Sequence, residues 1–187
     1  MTTAVSVARF HPDDLQRLEE DGLYELADGK LIEKKMSHLA NLTAGRVTTT
    51  LTNFTTPANL GDVLPEQTFR CFPNDPALVR RPDVAFITAS RAVGLPEEGP
   101  INIAPDIAVE VVSPTDRIYD LDEKLSDYRT AGVKLVWVIN PKSRTVRVHR
   151  LDHSVSELSE SETLTGESVL PGFAVRLSDL LPTVKGR

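Results

Sequence analysis

Apolar and polar positions along the chain run in two rhythms, near 3.6 and near 2, and the changes from one to the other predict the order of elements. Pro12 followed by DDLQRLEEDG puts a proline near the start and Gly22 at the close of a short helix, Pro12 to Asp21. LYELADGKLIEKK carries two alternating arms about Asp28-Gly29, a pair suited to the positive φ of a tight turn, and predicts a hairpin of two strands. Ser37 can cap a helix running through Leu39, Leu42, Val47 and Leu51 to the neighbourhood of Phe54, against the low propensity of the threonines in VTTTLTNFTT. VLPEQTFRCF alternates like a strand, with Phe69 and Cys71 on one side and Arg70 on the other, and could pair with the following PDVAFI. TASRAVGLPEEGP reads as a short helical turn and loop, and the β-branched run IAVEVV as a central strand. From Arg117 to Ala131 the residues Ile118, Leu121, Leu125 and Tyr128 recur at helical spacing, with Thr115 or Asp116 as cap and Gly132 as stop. KLVWVI and TVRVHRL flank an Asn140–Arg144 turn, Ser154 to Ser168 reads as a hairpin loop, and LPGFAVRL adds a strand. The sum is an α/β (α+β) fold: a central mixed sheet with helices packed against it.

Composition narrows the class. The 187 residues suit one domain, 1–187, and 40% apolar with 26% charged residues is the balance of a packed chain. The net charge of −6 supplies no global positive field that would draw the chain to nucleic acid or membrane, so any basic surface is local. Cys71 is the only cysteine, which excludes an intrachain disulfide and a zinc site built on two or more cysteines of the chain. The start MTTAVSVARFHPDD lacks a basic segment followed by an apolar one, and no run approaches the roughly 18 apolar residues of a membrane helix. A cytoplasmic location without membrane partners is expected.

Chemistry concentrates in RRPDVAFI, PDIAVEVVSPTD and the helix that follows. Alternation puts Asp83 on one face with Ala85 and Ile87, and Glu110 on one face with Ala108 and Val112. A carboxylate that interrupts an apolar strand needs a cation, hydrogen-bond donors or a proton. Two of them on neighbouring strands could hold a hard divalent metal, and oxygen ligands favour Mg²⁺ or Mn²⁺ over zinc. A buried ion pair at Glu110 and a turn-capping role for Asp83 are the structural alternatives. Lys124 lies about 80° from the middle of the apolar helix stripe. It can supply the countercharge, although Arg117 and Arg129 also lie at the margins of the stripe. Arg80-Arg81 and the Lys142, Arg144, Arg147 and Arg150 cluster are candidate phosphate contacts. Trp137 and Tyr128 read as core rather than as base-stacking residues.

These pieces, from YELADGKLIE through PDVAFI, PDIAVEVVSPTD and DLDEKLSDYRTAGVKLVWVINPKSRTVRVHR to LPGFAVRLSDLL, resemble the Uma family (DUF820) of restriction-endonuclease-like proteins, within the PD-(D/E)xK nuclease superfamily. The resemblance implies a restriction-endonuclease-like core and hydrolysis of phosphodiester bonds. It implies that Asp83 and Glu110 bind the metal, that the backbone carbonyl of Val111 completes the protein ligands, and that Lys124 replaces the motif lysine where this chain has Val112. Glu25 is implied as a further carboxylate near the metal. Pro105-Asp106 is a decoy, because Asp106 shares a strand with Glu110. The implied partners are DNA and a second subunit in a homodimer. A catalytically weak or inactive nuclease-fold module that binds nucleic acid or protein is the alternative, favoured by the acidic balance and by Val112.

Overall fold

A computed structural model describes residues 9–18 and 22–183. Helix α1 covers Pro12–Leu18, strands β1 and β2 cover Tyr24–Ala27 and Lys30–Glu33, and α2 runs from His38 to Thr55. The last predicted residues of α1, 19–21, lie outside the described residues. Asp28 and Gly29 take φ values of 51° and 73°, the turn that DG is suited to make. Ser37 caps α2 as expected, its side chain accepting from the Ala40 N–H.

The main sheet contains β3 (Gly61–Pro65), β4 (Val84–Thr88), β5 (Ile107–Val111), β6 (Leu135–Asn140), β7 (Thr145–Arg150) and β8 (Val155–Ser159), in that spatial order. Only β5 and β6 are parallel. They are joined across one face by α4 (Ile118–Thr130), since parallel neighbours need a crossover. Short α3 (Ala89–Ala92) follows β4. A separate ribbon of β9 (Thr163–Gly166) and β10 (Leu170–Arg176) leads into α5 (Leu177–Leu180).

Alternation sorts the sheet residues between two cores. Val84, Phe86, Ile107, Val109 and Trp137 pack with Ala44, Val47 and Leu51 of α2 and with Phe173 of β10. Ala85, Ile87, Ala108 and Val138 face the other way, against Leu125 and Tyr128 of α4. Helices therefore cover both sides, as the restriction-endonuclease-like expectation requires. Asp83 and Glu110 share the parity of the α4 side. Trp137 and Tyr128 are core residues, both fully buried. No helix among the described residues is long and apolar enough to cross a membrane.

Four local expectations are corrected. The strand expected over 63–72 is divided: β3 ends at Pro65, Glu66 takes a φ of 52°, and Phe69 makes only isolated bridges, to Arg80 and Ile101. Ser154 to Ser168 is not a hairpin loop but two strands assigned to different sheets, β8 on the edge of the main sheet and β9 against β10. Neither Thr115 nor Asp116 caps α4. Arg117 stands at that position without a side-chain cap, and Asp116 instead accepts the Ser113 N–H at 2.7 Å. Ile118, assigned to the apolar stripe, is 65% exposed because it precedes the turn that meets the sheet.

Trp137 stacks on Phe173 with ring centroids 5.8 Å apart, linking the main sheet to the β9–β10 ribbon. Trp137→Ala is expected to cost about 3–5 kcal/mol in urea unfolding, the usual penalty for emptying an aromatic core position.

Candidate active site

The antiparallel pairing of β4 with β5 sets the first contact. Val84 lies opposite Val109, and the Asp83 N–H donates to the Val109 carbonyl. The Asp83 side chain is thereby carried past Glu110 to the next peptide, where Oδ2 accepts the Val111 N–H at 2.5 Å. The sheet's own hydrogen bonding thus brings the two predicted metal carboxylates to one place. Glu110 projects toward α4, where Oε1 accepts the Tyr128 hydroxyl at 2.6 Å and Oε2 meets Lys124 Nζ at 3.3 Å.

The β1–β2 hairpin delivers the rest. Glu25 is fully buried; Oε1 lies 2.9 Å from Lys124 Nζ and accepts the Arg81 N–H at 3.1 Å, while Oε2 lies 3.3 Å from Arg80. Lys34 follows β2, its N–H donating to the Leu23 carbonyl, and its side chain turns inward. Its Nζ reaches Asp83 Oδ1 at 2.5 Å, the Arg81 carbonyl at 2.8 Å and Glu66 Oε2 at 3.1 Å. Glu25, Lys34, Asp83, Glu110, Val111 and Lys124 line one cavity of about 430 Å³, which the start of α4 also borders.

The structure therefore gathers all five residues singled out from the sequence: Asp83, Glu110, Lys124, Glu25 and Val111. It excludes Asp106, whose buried carboxylate is held by Lys134 at 2.8 Å, Arg91 at 2.9 Å and the Thr88 N–H at 2.9 Å. Arg80 and Arg81 are corrected as candidate phosphate contacts. They are 2% and 6% exposed, and they turn inward because buried carboxylates and carbonyls need their donors. Arg80 pairs with Asp127 at 2.6 Å and Glu123 at 2.9 Å in addition to Glu25, and Arg81 donates to the Glu66 and Tyr24 carbonyls. In the basic cluster, Arg144 and Arg150 are engaged by Glu160 and Glu167.

Sequence reasoning missed Lys34, Glu66 and the hydrogen bond from Tyr128. Nothing in the local pattern separates Lys34 from Lys35, yet their side chains are 9% and 72% exposed. Glu66 was hidden inside a segment read as regular strand.

Burial acts on every one of these groups, and the neighbouring charges decide the outcome. Desolvation pushes the Glu25 carboxyl up, but Lys124 and Arg80 more than reverse it, so Glu25 sits below the ordinary glutamate range. At Glu110 desolvation prevails: Lys124 pulls down, the Asp83 charge pushes up, and the carboxyl ends above the ordinary range. Lys34 and Lys124 would be lowered by burial, yet the surrounding carboxylates raise both and keep the amines protonated.

Among the described residues, no group of three or more His, Cys, Asp or Glu side chains gathers to hold a metal ion. A cation here would rely on the carboxylates of Asp83 and Glu110, with backbone oxygen and water completing its shell, which is the arrangement Mg²⁺ favours. The donor chemistry fits a hard divalent ion. Glu110 is raised first by desolvation and further by the Asp83 charge, and a divalent ion between the two would offset both.

Residues 12–178 match the family Uma2, described as "Putative restriction endonuclease". The chain belongs to the Uma2 family. It is similar to the crystal structure of "a putative nuclease belonging to DUF820" from Anabaena variabilis ATCC 29413, with 21% identity, a TM-score of 0.76, and coverage of 91% of this chain and 97% of that one. That likeness shows the fold. A much looser overlay, with a TM-score of 0.36 and 10% identity, relates 63% of this chain to 12% of a chain in the DrdV-DNA complex. No curated protein sequence matches.

The opposite displacements of the two glutamates in this Uma2 chain give opposite stability signatures. Glu25 has a folded value below its unfolded one, so its contribution is present above the ordinary glutamate range and is lost as pH falls below it. Glu110 has the reverse sign: its contribution is fully present below the ordinary glutamate range and is lost as pH rises through its raised folded value. Glu25→Ala leaves two buried cations short of a partner and is expected to cost about 3–5 kcal/mol at neutral pH. Glu110→Gln is expected to leave the urea midpoint at neutral pH unchanged or higher. Urea titrations of both variants between about pH 4 and 8 check the pair.

Proposed function

We propose that this Uma2-family chain is a divalent-metal-dependent endonuclease that hydrolyses phosphodiester bonds in DNA and works as a homodimer. The observation that carries the proposal is the meeting of Asp83 and Glu110, from adjacent strands, on a cavity wall that also holds Lys124. Asp83, Glu110 and the Val111 carbonyl would hold Mg²⁺ or Mn²⁺. When bound, the ion would supply Lewis acidity at the phosphate and a lowered pKa for coordinated water.

The chain's own residues account for the rest. Lys124 has three N–H donors and meets two carboxylates, Glu25 and Glu110, which fix its ammonium at the cavity wall and leave a third donor for a phosphoryl oxygen. Its partial burial, with the side chain 15% exposed, weakens solvent screening of the charge that would develop there. Tyr128 holds Glu110 Oε1 and so orients the other oxygen toward Lys124 and the cavity. The start of α4 has no side-chain cap and borders the same cavity, which adds a partial positive charge suited to a phosphate. Lys124 thus reaches from the following helix the region that a lysine at the Val112 position would serve from the strand.

A second reading, a nuclease-fold module that binds without cutting, is favoured by one observation: the ammonium of Lys34 already lies against Asp83. Incubation of plasmid DNA with Mg²⁺ or Mn²⁺ separates the two. Wild type is expected to nick or linearise the plasmid, and Asp83→Ala and Glu110→Ala to abolish cleavage. Lys124→Met is expected to slow it by about 10²–10³-fold, the range for removing one electrostatic stabiliser. Cleavage that survives both carboxylate substitutions overturns the assignment. A salt-dependent mobility shift without cleavage favours the second reading, and light scattering of the purified protein tests the dimer.

A further inference from the structure

The two lysines at the cavity are used differently. Lys124 lies between two carboxylates, Glu25 and Glu110. Lys34 has an oxygen for each of its three donors, namely Asp83 Oδ1, Glu66 Oε2 and the Arg81 carbonyl, and has no donor left for a substrate. Its surroundings are two carboxylates and a carbonyl, the oxygen chemistry that also suits a hard metal cation.

Both oxygens of Asp83 are engaged, but by partners of unequal mobility. Oδ2 is fixed by the Val111 N–H, part of the backbone where β4 and β5 pair. Oδ1 is held by the end of a lysine side chain, which can move by rotating its own torsions. Oδ1 is therefore the oxygen that can be given up to an incoming ion, and the Lys34 ammonium stands against it. Two cations on one carboxylate oxygen repel each other, so the approach of a divalent ion and the withdrawal of this amine are coupled.

We infer that Lys34 is a positioning residue that governs metal loading: in the metal-free chain its ammonium takes the place of the ion at Asp83, and it must withdraw from Oδ1 when a divalent cation enters. This rests on the reading of Asp83 and Glu110 as metal ligands. Lys34 acts through Asp83, and its position on the β1–β2 hairpin makes the metal affinity of the sheet carboxylates depend on a neighbouring element.

Isothermal titration of the full chain with Mn²⁺, in the absence of DNA, tests the inference on wild type, Lys34→Met and Lys34→Arg. Lys34→Met keeps most of the stem and removes the charge. It is expected to bind Mn²⁺ at least tenfold more tightly than wild type, while Lys34→Arg binds no more tightly than wild type. The melting temperature of Lys34→Met is expected to be lower than that of wild type without metal and to rise further on adding Mn²⁺. A merely structural role for Lys34 would lower the melting temperature without tightening metal binding. If Lys34→Met does not fold, Lys34→Gln, neutral but still able to donate, carries the same expectation. Wild type that binds Mn²⁺ beside a neutral variant that binds it no more tightly overturns the role of Lys34 and leaves the metal reading standing. Absence of binding by wild type and neutral variant alike overturns both. Binding by the neutral variant alone supports the role of Lys34 and counts against metal use by the natural chain.

Discussion

A carboxylate remains ionised inside an apolar sheet only where a cation or hydrogen-bond donors reach it, and the arrangement of this molecule follows from meeting that demand repeatedly. Glu25, Asp83, Asp106 and Glu110 are all buried, on or beside strands whose other side chains form the cores. The countercharges come from several elements: Lys34 just after β2, Lys124 of α4 shared by Glu25 and Glu110, Arg80 from the segment before β4, Arg91 of α3 and Lys134 just before β6. The cations thus fasten hairpin, helix and sheet to one another as well as neutralising charge.

The same solution has different consequences at the two ends of the central strands. Around Asp106 the cations reach in from the surface, with Lys134 and Arg91 side chains 52% and 35% exposed, and hydrogen bonds from Thr88 complete the shell. That cluster secures a strand start. Around Asp83 and Glu110 the cations are far less exposed, Lys34 and Lys124 side chains being 9% and 15% exposed, and the carboxylates border a cavity. Charges that are desolvated yet adjacent to empty space interact strongly with whatever enters, and this makes one end a site and the other a fastening.

Much of this was legible in the sequence because it depends on alternation. A period of two put Asp83 and Glu110 each among apolar neighbours on one strand face, which proves to be the face that α4 covers, and the helical stripe left Lys124 at its margin beside Arg117 and Arg129, from which the family resemblance singled it out. Ser37 and Asp28-Gly29 marked a cap and a turn through local chemistry alone. What escaped depends on tertiary placement. Lys34 and Lys35 are neighbours of identical type, and only the docking of the hairpin makes one internal. The inward turn of Arg80 and Arg81 follows from acids distant in the chain, so a pair that looks like an exposed basic patch became part of the interior. The break at Glu66 and the division of 154–168 between two sheets likewise reflect competition between partners that no short window contains.

Sequence separation gives the hairpin one further significance. Lys34 lies 49 residues before Asp83, and Glu25 lies 56 before Arg81, whereas Lys124 is only 14 after Glu110. Closing the longer loops has a larger entropic cost, so joining Lys124 to Glu110 asks less of the chain than docking the hairpin. Until that docking occurs Asp83 lacks its basic neighbour and the pocket has no outer wall. Formation of the cleft therefore depends on a long-range closure as well as on the local pairing of helix and strand, and a chain whose hairpin is undocked presents acidic side chains without the enclosure that would let them act together.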